Sequence, residues 1–129
     1  MENRGGPEPG AVRQAILIVE DEALVRVDAA EFLRQGGYRV HEAANASDAM
    51  ESLQSKFNAD LLFTDINLGK GIDGIELALW ALANLPRLKI LVTTGDTLKN
   101  VLPEVLGKIL PKPYALSDLL RRVKHALAT

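Results

Sequence analysis

A doubly wound α/β domain is the fold this sequence predicts, on three observations. Apolar runs about one strand long recur along the chain and stop abruptly at polar residues: Ala15-Ile16-Leu17-Ile18-Val19 before Glu20, and Leu61-Leu62-Phe63 before Thr64 and Asp65. These runs are continuously apolar rather than alternating, which is the pattern of a strand covered on both faces. Between them lie stretches whose apolar residues recur at helical spacing, and strands alternating with helices pair in parallel through right-handed crossovers. The chain has 129 residues, 47% of them hydrophobic, enough for one domain with a core of its own.

In order, residues 1–14 hold three glycines and two prolines with little to bury, so a disordered or loosely docked tail is expected ahead of a domain spanning 15–129. The first strand, 15–19, ends at Glu20, Asp21 and Glu22. Val25, Ala29, Phe32 and Leu33 then mark a helix that Gly36-Gly37 terminates. A shorter alternating strand covers 38–42. Asn45 or Ser47 caps the next helix, which carries Ala49, Met50, Leu53 and Phe57 on one face. The third strand, 60–65, delivers Asp65 at its C-terminal end, and a loop with two glycines follows. Asp73 is expected to cap the third helix with Glu76 reaching back. That helix should bury Ile75, Ala78, Leu79 and Leu82, with Leu77 and Trp80 on a second stripe and Trp80 a packing residue rather than a docking one. Pro86 ends this region, and 88–94 forms the fourth strand. Between Gly95 and a fifth strand at 108–110, Pro103 and the short spacing leave room for one or two helical turns. A last helix, capped by Ser117, buries Leu116, Leu119, Leu120, Val123 and Leu127.

Lys plus Arg total 15 and Asp plus Glu 17, so the overall charge points to neither nucleic acid nor an anionic membrane. Cysteine is absent, which removes disulfides and thiol chemistry. The N-terminus lacks the apolar centre of a signal peptide and no run approaches a membrane span, so a soluble, cytoplasmic protein is expected. His41 and His125 read as solvent-facing or locally satisfied. Arg121, Arg122 and Lys124 sit near a helix C-terminus, where cations belong on electrostatic grounds, and are not read as a DNA site.

In a parallel sheet the carboxyl ends of the strands open on one crevice, where ligands bind. Glu20, Asp21, Asp65, Thr94 and Lys112 all fall there. Clustered carboxylates repel one another unless a cation is present, and Mg²⁺ suits a few oxygen ligands with retained waters. Lys112 adds a fixed positive charge suited to a phosphate oxygen or a carboxylate. Thr94 adds a hydroxyl; Thr93 stands beside it, and Gly95, which leaves space for an anion, favours Thr94. Together these groups describe phosphoryl transfer.

Ile16-Leu17-Ile18-Val19-Glu20-Asp21-Glu22, Leu62-Phe63-Thr64-Asp65-Ile66-Asn67, Val92-Thr93-Thr94-Gly95 and Leu110-Pro111-Lys112-Pro113 resemble the four signature segments of the receiver domain of two-component response regulators. The resemblance runs from about Ala15 to the C-terminus. It implies a flavodoxin-like five-stranded sheet of order 2-1-3-4-5. It further implies that Asp65 accepts a phosphoryl group from a phosphohistidine on a sensor histidine kinase or phosphotransfer protein. Mg²⁺ would be held by Asp21, Asp65 and the carbonyl of Asn67, with Glu20 assisting through water, while Thr94 and Lys112 each bond a phosphoryl oxygen.

The chain departs from the pattern in three places. The loop after Asp65 lacks the common proline and is one residue longer; Ile109 stands where many receivers carry an aromatic switch residue; and the segment between Thr94 and Lys112 is short, so the fourth helix should be reduced. Phosphorylation is therefore expected to alter chiefly residues 95–114. With no effector region after Thr129, a stand-alone receiver switching protein contacts is the expected function, possible as a homodimer, with a phosphorelay intermediate or phosphate sink as the alternative. A phosphatase with an Asp nucleophile is the rival of another class, and Asn67, where that chemistry places a second Asp, argues against it.

Overall fold

The apolar runs become five strands of one parallel sheet: β1 (Ala15–Val19), β2 (Arg39–Ala43), β3 (Leu61–Asp65), β4 (Lys89–Thr94) and β5 (Leu110–Pro111), in the order β2-β1-β3-β4-β5. The computed structural model describes residues 13–69, 73–95 and 104–129. Among the described residues four α-helices connect or follow the strands: α1 (Ala23–Gln35), α2 (Ala46–Leu53), α3 (Gly74–Asn84) and α4 (Leu116–Ala128).

Period-two geometry sends neighbouring side chains of a strand to opposite faces. In β1, Ala15, Leu17 and Val19 therefore join α2 and α3 residues such as Ala49, Leu53, Leu77 and Ala81. Ile16 and Ile18 join Ala29, Ala30 and Leu33 of α1 and Leu119 and Val123 of α4. All five residues of β1 are buried, and each Ile or Leu so removed from water contributes about 1.5–3 kcal/mol. The far end of the sheet is closed by Asp60, whose carboxylate accepts from Ala15 N at 2.8 Å while its own N donates to Ala15 O at 2.7 Å.

Asn45 is the cap of α2, its side chain accepting from Asp48 N at 2.8 Å, and Asp73 caps α3 by accepting from Glu76 N at 2.9 Å. Three expectations are corrected. The buried stripe of α3 is Gly74, Leu77, Ala78 and Ala81, so Leu77 is core and Leu79 faces solvent at 39% exposure. The reason is the docking of Gly74 against the end of β3, which sets the rotation of the whole helix; Trp80 is a half-buried packing residue beside this core. Ser117 lies inside α4, which begins after Ala115 without a side-chain cap. The fifth strand is shifted to Leu110–Pro111. Of the region expected to hold the shortened fourth helix, 96–103 lie outside the described residues, and with them that part of the 95–114 segment expected to respond to phosphorylation, while Glu104–Leu106 form a single 3-10 turn.

β5 pairs with β4 at two positions, Thr93↔Leu110 and Thr94↔Pro111, so side-chain support matters there. Thr93 provides it: its buried hydroxyl donates to Leu110 O at 2.6 Å. Thr93→Val keeps the shape and leaves that carbonyl one bond short. The expected loss is about 1–2 kcal/mol, read as a lower urea midpoint at unchanged slope.

Candidate functional site

The strand ends carry the site. β1 stops where Glu20 leaves the sheet, its N still donating to Ala43 O at 3.1 Å. β3 stops at Asp65, one residue before Ile66 N donates to Thr93 O at 2.9 Å. β5 delivers Lys112, whose N donates to Thr94 O at 3.0 Å, and the Lys112–Pro113 peptide that follows is cis. Parallel registration thus brings residues 20, 65, 94 and 112 together from four segments.

Lys112 Nζ sits between two buried carboxylates, 2.6 Å from Asp65 Oδ2 and 2.7 Å from Glu20 Oε1. The other oxygen of each acid is also occupied: Asp65 Oδ1 accepts from Asn67 N at 3.0 Å, and Glu20 Oε2 from Glu22 N at 3.1 Å. Burial raises the pKa of Glu20, and Asp65's charge adds to that, while the bonds from Lys112 and Glu22 oppose it. Burial pulls the Lys112 ammonium down, but the hydrogen bonds and charges of Asp65 and Glu20 outweigh it and raise its pKa well above the usual lysine value. Behind Lys112, Tyr114 packs edge-on to Phe63, and its phenol is pushed up to about 12, first by burial and then by the Glu20 charge.

Asp21 is exposed at the rim, yet carboxylate oxygens of Glu20, Asp21 and Asp65 all lie within 4.8 Å of one another. Three acids against one ammonium leave excess negative charge, and an all-oxygen donor set with that charge fits a hard divalent cation such as Mg²⁺. Asp21, Glu22, Asp65, Asn67, Gly95 and Lys112 line an open cleft of about 550 Å³ at this point. Thr94, directly before Gly95, is buried at 6% exposure. A second, more apolar cleft shares Glu22, Gly95 and Lys112 and extends over Val25, Pro113, Tyr114 and Leu116.

All six residues singled out from the sequence, Glu20, Asp21, Asp65, Asn67, Thr94 and Lys112, therefore meet at one end of the sheet. Two neighbours went unnoticed. Gly74 lies so close to Asp65 that an added Cβ would stand 1.9 Å from its carbonyl oxygen. A glycine at the first position of a helix, where no turn demands one, was the available signal. Arg26 donates to Glu20 O at 2.8 Å, a contact that no sequence pattern announces.

Comparison with known proteins agrees with this arrangement. The model of the response regulator receiver domain family matches residues 16–124. The response regulator receiver protein CpdR of Brucella abortus is 35% identical over 87% of this chain and 95% of its own length. The transcriptional regulatory protein PdtaR of Mycobacterium tuberculosis is 33% identical over 92% of this chain, which spans 58% of that relative. Among solved structures, a CheY-like response regulator receiver domain protein from Methanospirillum hungatei superposes with a TM-score of 0.80 at 28% identity, covering 91% of this chain and 95% of that one. The receiver domain of the hybrid histidine kinase CckA does so with a TM-score of 0.72 at 35% identity, covering 88% and 98%.

Proposed function

The chain belongs to the response regulator receiver domain family, and from that premise we propose that Asp65 accepts a phosphoryl group from a phosphohistidine on a sensor histidine kinase or phosphotransfer protein. The observation that carries the reading is the placement of Lys112 Nζ 2.6 Å from Asp65 Oδ2 at the mouth of an acidic cleft. An Asp65 oxygen forms the bond to phosphorus as the bond from phosphorus to the histidine nitrogen breaks, and the imidazole leaves with that electron pair. Asn67 N holds the carboxylate in line through Oδ1. Lys112 exchanges its contact with Asp65 for one with a phosphoryl oxygen, and keeps Glu20 as its second partner. Thr94 bonds another phosphoryl oxygen; the commitment of the Thr93 hydroxyl to Leu110 O supports that choice between the two threonines. Glu20, Asp21, Asp65 and the Asn67 carbonyl would hold Mg²⁺, which supplies charge neutralisation to the incoming anion.

The acyl phosphate would then alter contacts with other proteins in two-component signalling in the cytoplasm. The match to CpdR over nearly its full length supports action as a receiver protein in its own right. Service as a phosphorelay intermediate or phosphate sink is the second reading, favoured by the likeness to the CckA receiver. Among the described residues no helix is long and apolar enough to cross a membrane.

Incubation with acetyl phosphate and Mg²⁺ followed by intact-mass measurement tests the site. One phosphoryl increment is expected on the wild type and none after chelation of the metal. Asp65→Asn should remain unlabelled, and undiminished labelling of that variant would overturn the assignment.

A further inference from the structure

Arg26 lies one turn into α1, behind the acidic loop, and its planar fork is divided between two acceptors. Nη1 donates to Glu20 O at 2.8 Å, and Nε to Glu42 Oε1 at 3.3 Å. The side chains of Arg26 and Glu42 are only 18% and 24% exposed. Glu42 is itself held on both sides: it sits on β2 opposite Ile18, and its Oε2 accepts from Arg34 Nη2 at 3.2 Å, while Arg34 also donates to Val40 O at 2.9 Å.

Glu20 marks the point at which the sheet stops supporting the loop. Its N makes the last bond to β2, and Glu22, the cap residue of α1, has no side-chain cap bond. The carboxylates of Glu20, Asp21 and Asp65 repel one another; Lys112 ties the Glu20 carboxylate to Asp65, and a loop free to relax would let Asp21 swing away from both. Arg26 opposes that motion by fixing the Glu20 carbonyl, and Glu42 fixes Arg26. A guanidinium can engage a carboxylate and a carbonyl in one rigid geometry; a lysine ammonium offers no such fork.

We propose that Arg26, oriented by Glu42, is a positioning residue for the cation site: by holding the Glu20 carbonyl it presets the loop that brings Glu20 and Asp21 within reach of the same ion as Asp65. The proposal rests on the metal reading given above and goes beyond it, because Arg26 contributes no ligand. It also carries an unusual sign. Arg26 is a cation near a cation site, so if its charge alone mattered, its removal would tighten Mg²⁺ binding. Positioning requires the opposite, since partners that orient ligands typically contribute tenfold or more to metal affinity.

The test is calorimetric titration of the unphosphorylated full chain with Mg²⁺, comparing wild type, Arg26→Met and Arg26→Lys. Arg26→Met should bind about tenfold more weakly, and Arg26→Lys, which keeps the charge and loses the fork, more weakly than wild type by a smaller factor. Glu42→Leu should weaken binding in the wild-type background and add nothing to Arg26→Met. A role confined to packing α1 on β2 would lower the unfolding midpoint and leave the affinity of the folded protein unchanged. Unchanged or tighter binding by Arg26→Met, or wild-type affinity in Arg26→Lys, overturns the proposal; should Arg26→Met fail to fold, Arg26→Lys decides alone. A wild type that binds no Mg²⁺ overturns the metal reading as well, whereas a wild type that binds with variants that do not weaken overturns only the role of Arg26.

Discussion

Gly74→Ala is expected to destabilise the protein by about 3 kcal/mol or more, at or beyond the upper end for overpacking by one methyl group. The added Cβ would stand 1.9 Å from Asp65 O and 2.8 Å from both Asp65 C and Ile66 Cα. Those are backbone atoms, so no rotamer change makes room. Gly74 N also donates to Ile66 O at 2.8 Å, which ties the start of α3 to the peptide immediately after the one that it would now strike. Either α3 withdraws and uncovers Leu77, Ala78 and Ala81, or the backbone at Asp65 shifts. Urea unfolding measures the first consequence, and the rate of labelling by acetyl phosphate measures the second. Gly95→Ala is the control: its Cβ would lie 3.7 Å from Lys112 Cβ, an ordinary contact, and its stability should stay within about 1 kcal/mol of wild type. Equal stability of the two variants would show that α3 tolerates a shift the packing argues against.

The same glycine explains which part of the architecture was readable in advance. Strands β1, β3 and β4 announce themselves because burial on both faces leaves an unbroken apolar run, and acids or hydroxyls at their ends place the site without any tertiary information. Helix α1 was legible for a similar reason: its apolar period is regular and Gly37, at φ 102°, ends it as a glycine should. The phase of α3 was not. Its sequence is apolar nearly all round, so periodicity alone cannot select a face, and the face is chosen by a steric contact at Gly74. The end of β5 failed for another reason. Two paired residues carry too little pattern to register, and the ladder there depends on a threonine from the neighbouring strand. At the site, residue types at strand ends were enough to gather Glu20, Asp21, Asp65, Thr94 and Lys112. The pairing of Lys112 with two carboxylates and the support that Arg26 gives to Glu20 are long-range contacts that emerge only when the segments are in place.

Replacing Lys112 by methionine is expected to separate its structural role from its chemical one. Glu20 and Asp65 are 3% and 5% exposed, and Lys112 Nζ is the ammonium between them. Methionine keeps the buried stem and removes the charge, leaving two neighbouring carboxylates without their shared counter-ion. Breaking a buried pair in this way costs about 3–5 kcal/mol; the lysine side chain is 19% exposed, so about 3 kcal/mol is expected in the absence of metal. Mg²⁺ should restore much of that loss, because a ligand at one hundred times its Kd stabilises by about 2.7 kcal/mol and the vacated carboxylates offer it more negative charge than the wild type does. Acidification should restore part of it as well. The folded-state pKa of Glu20 is already raised above its ordinary 4.5, and without Lys112 it rises further. A raised carboxyl penalises the fold when ionised, and the penalty disappears as pH falls through the raised value. For Lys112 itself the raised pKa has the complementary sign: its contribution is complete below its ordinary 10.5 and fades only as pH climbs through the folded value, so the wild type should show none of that loss between pH 7 and 9. Urea unfolding of both proteins at pH 7.5 and pH 5, with and without Mg²⁺, should thus give a stability gap that is widest at pH 7.5 without metal and narrows under either change. Phosphoryl acceptance should not recover alongside it, because the metal replaces the lysine's charge on Glu20 and Asp65 and not the bond proposed for it to the incoming phosphoryl oxygen. A gap that ignores both pH and Mg²⁺ would mean that Lys112 stabilises by packing, and that the charges it spans are balanced by some other group.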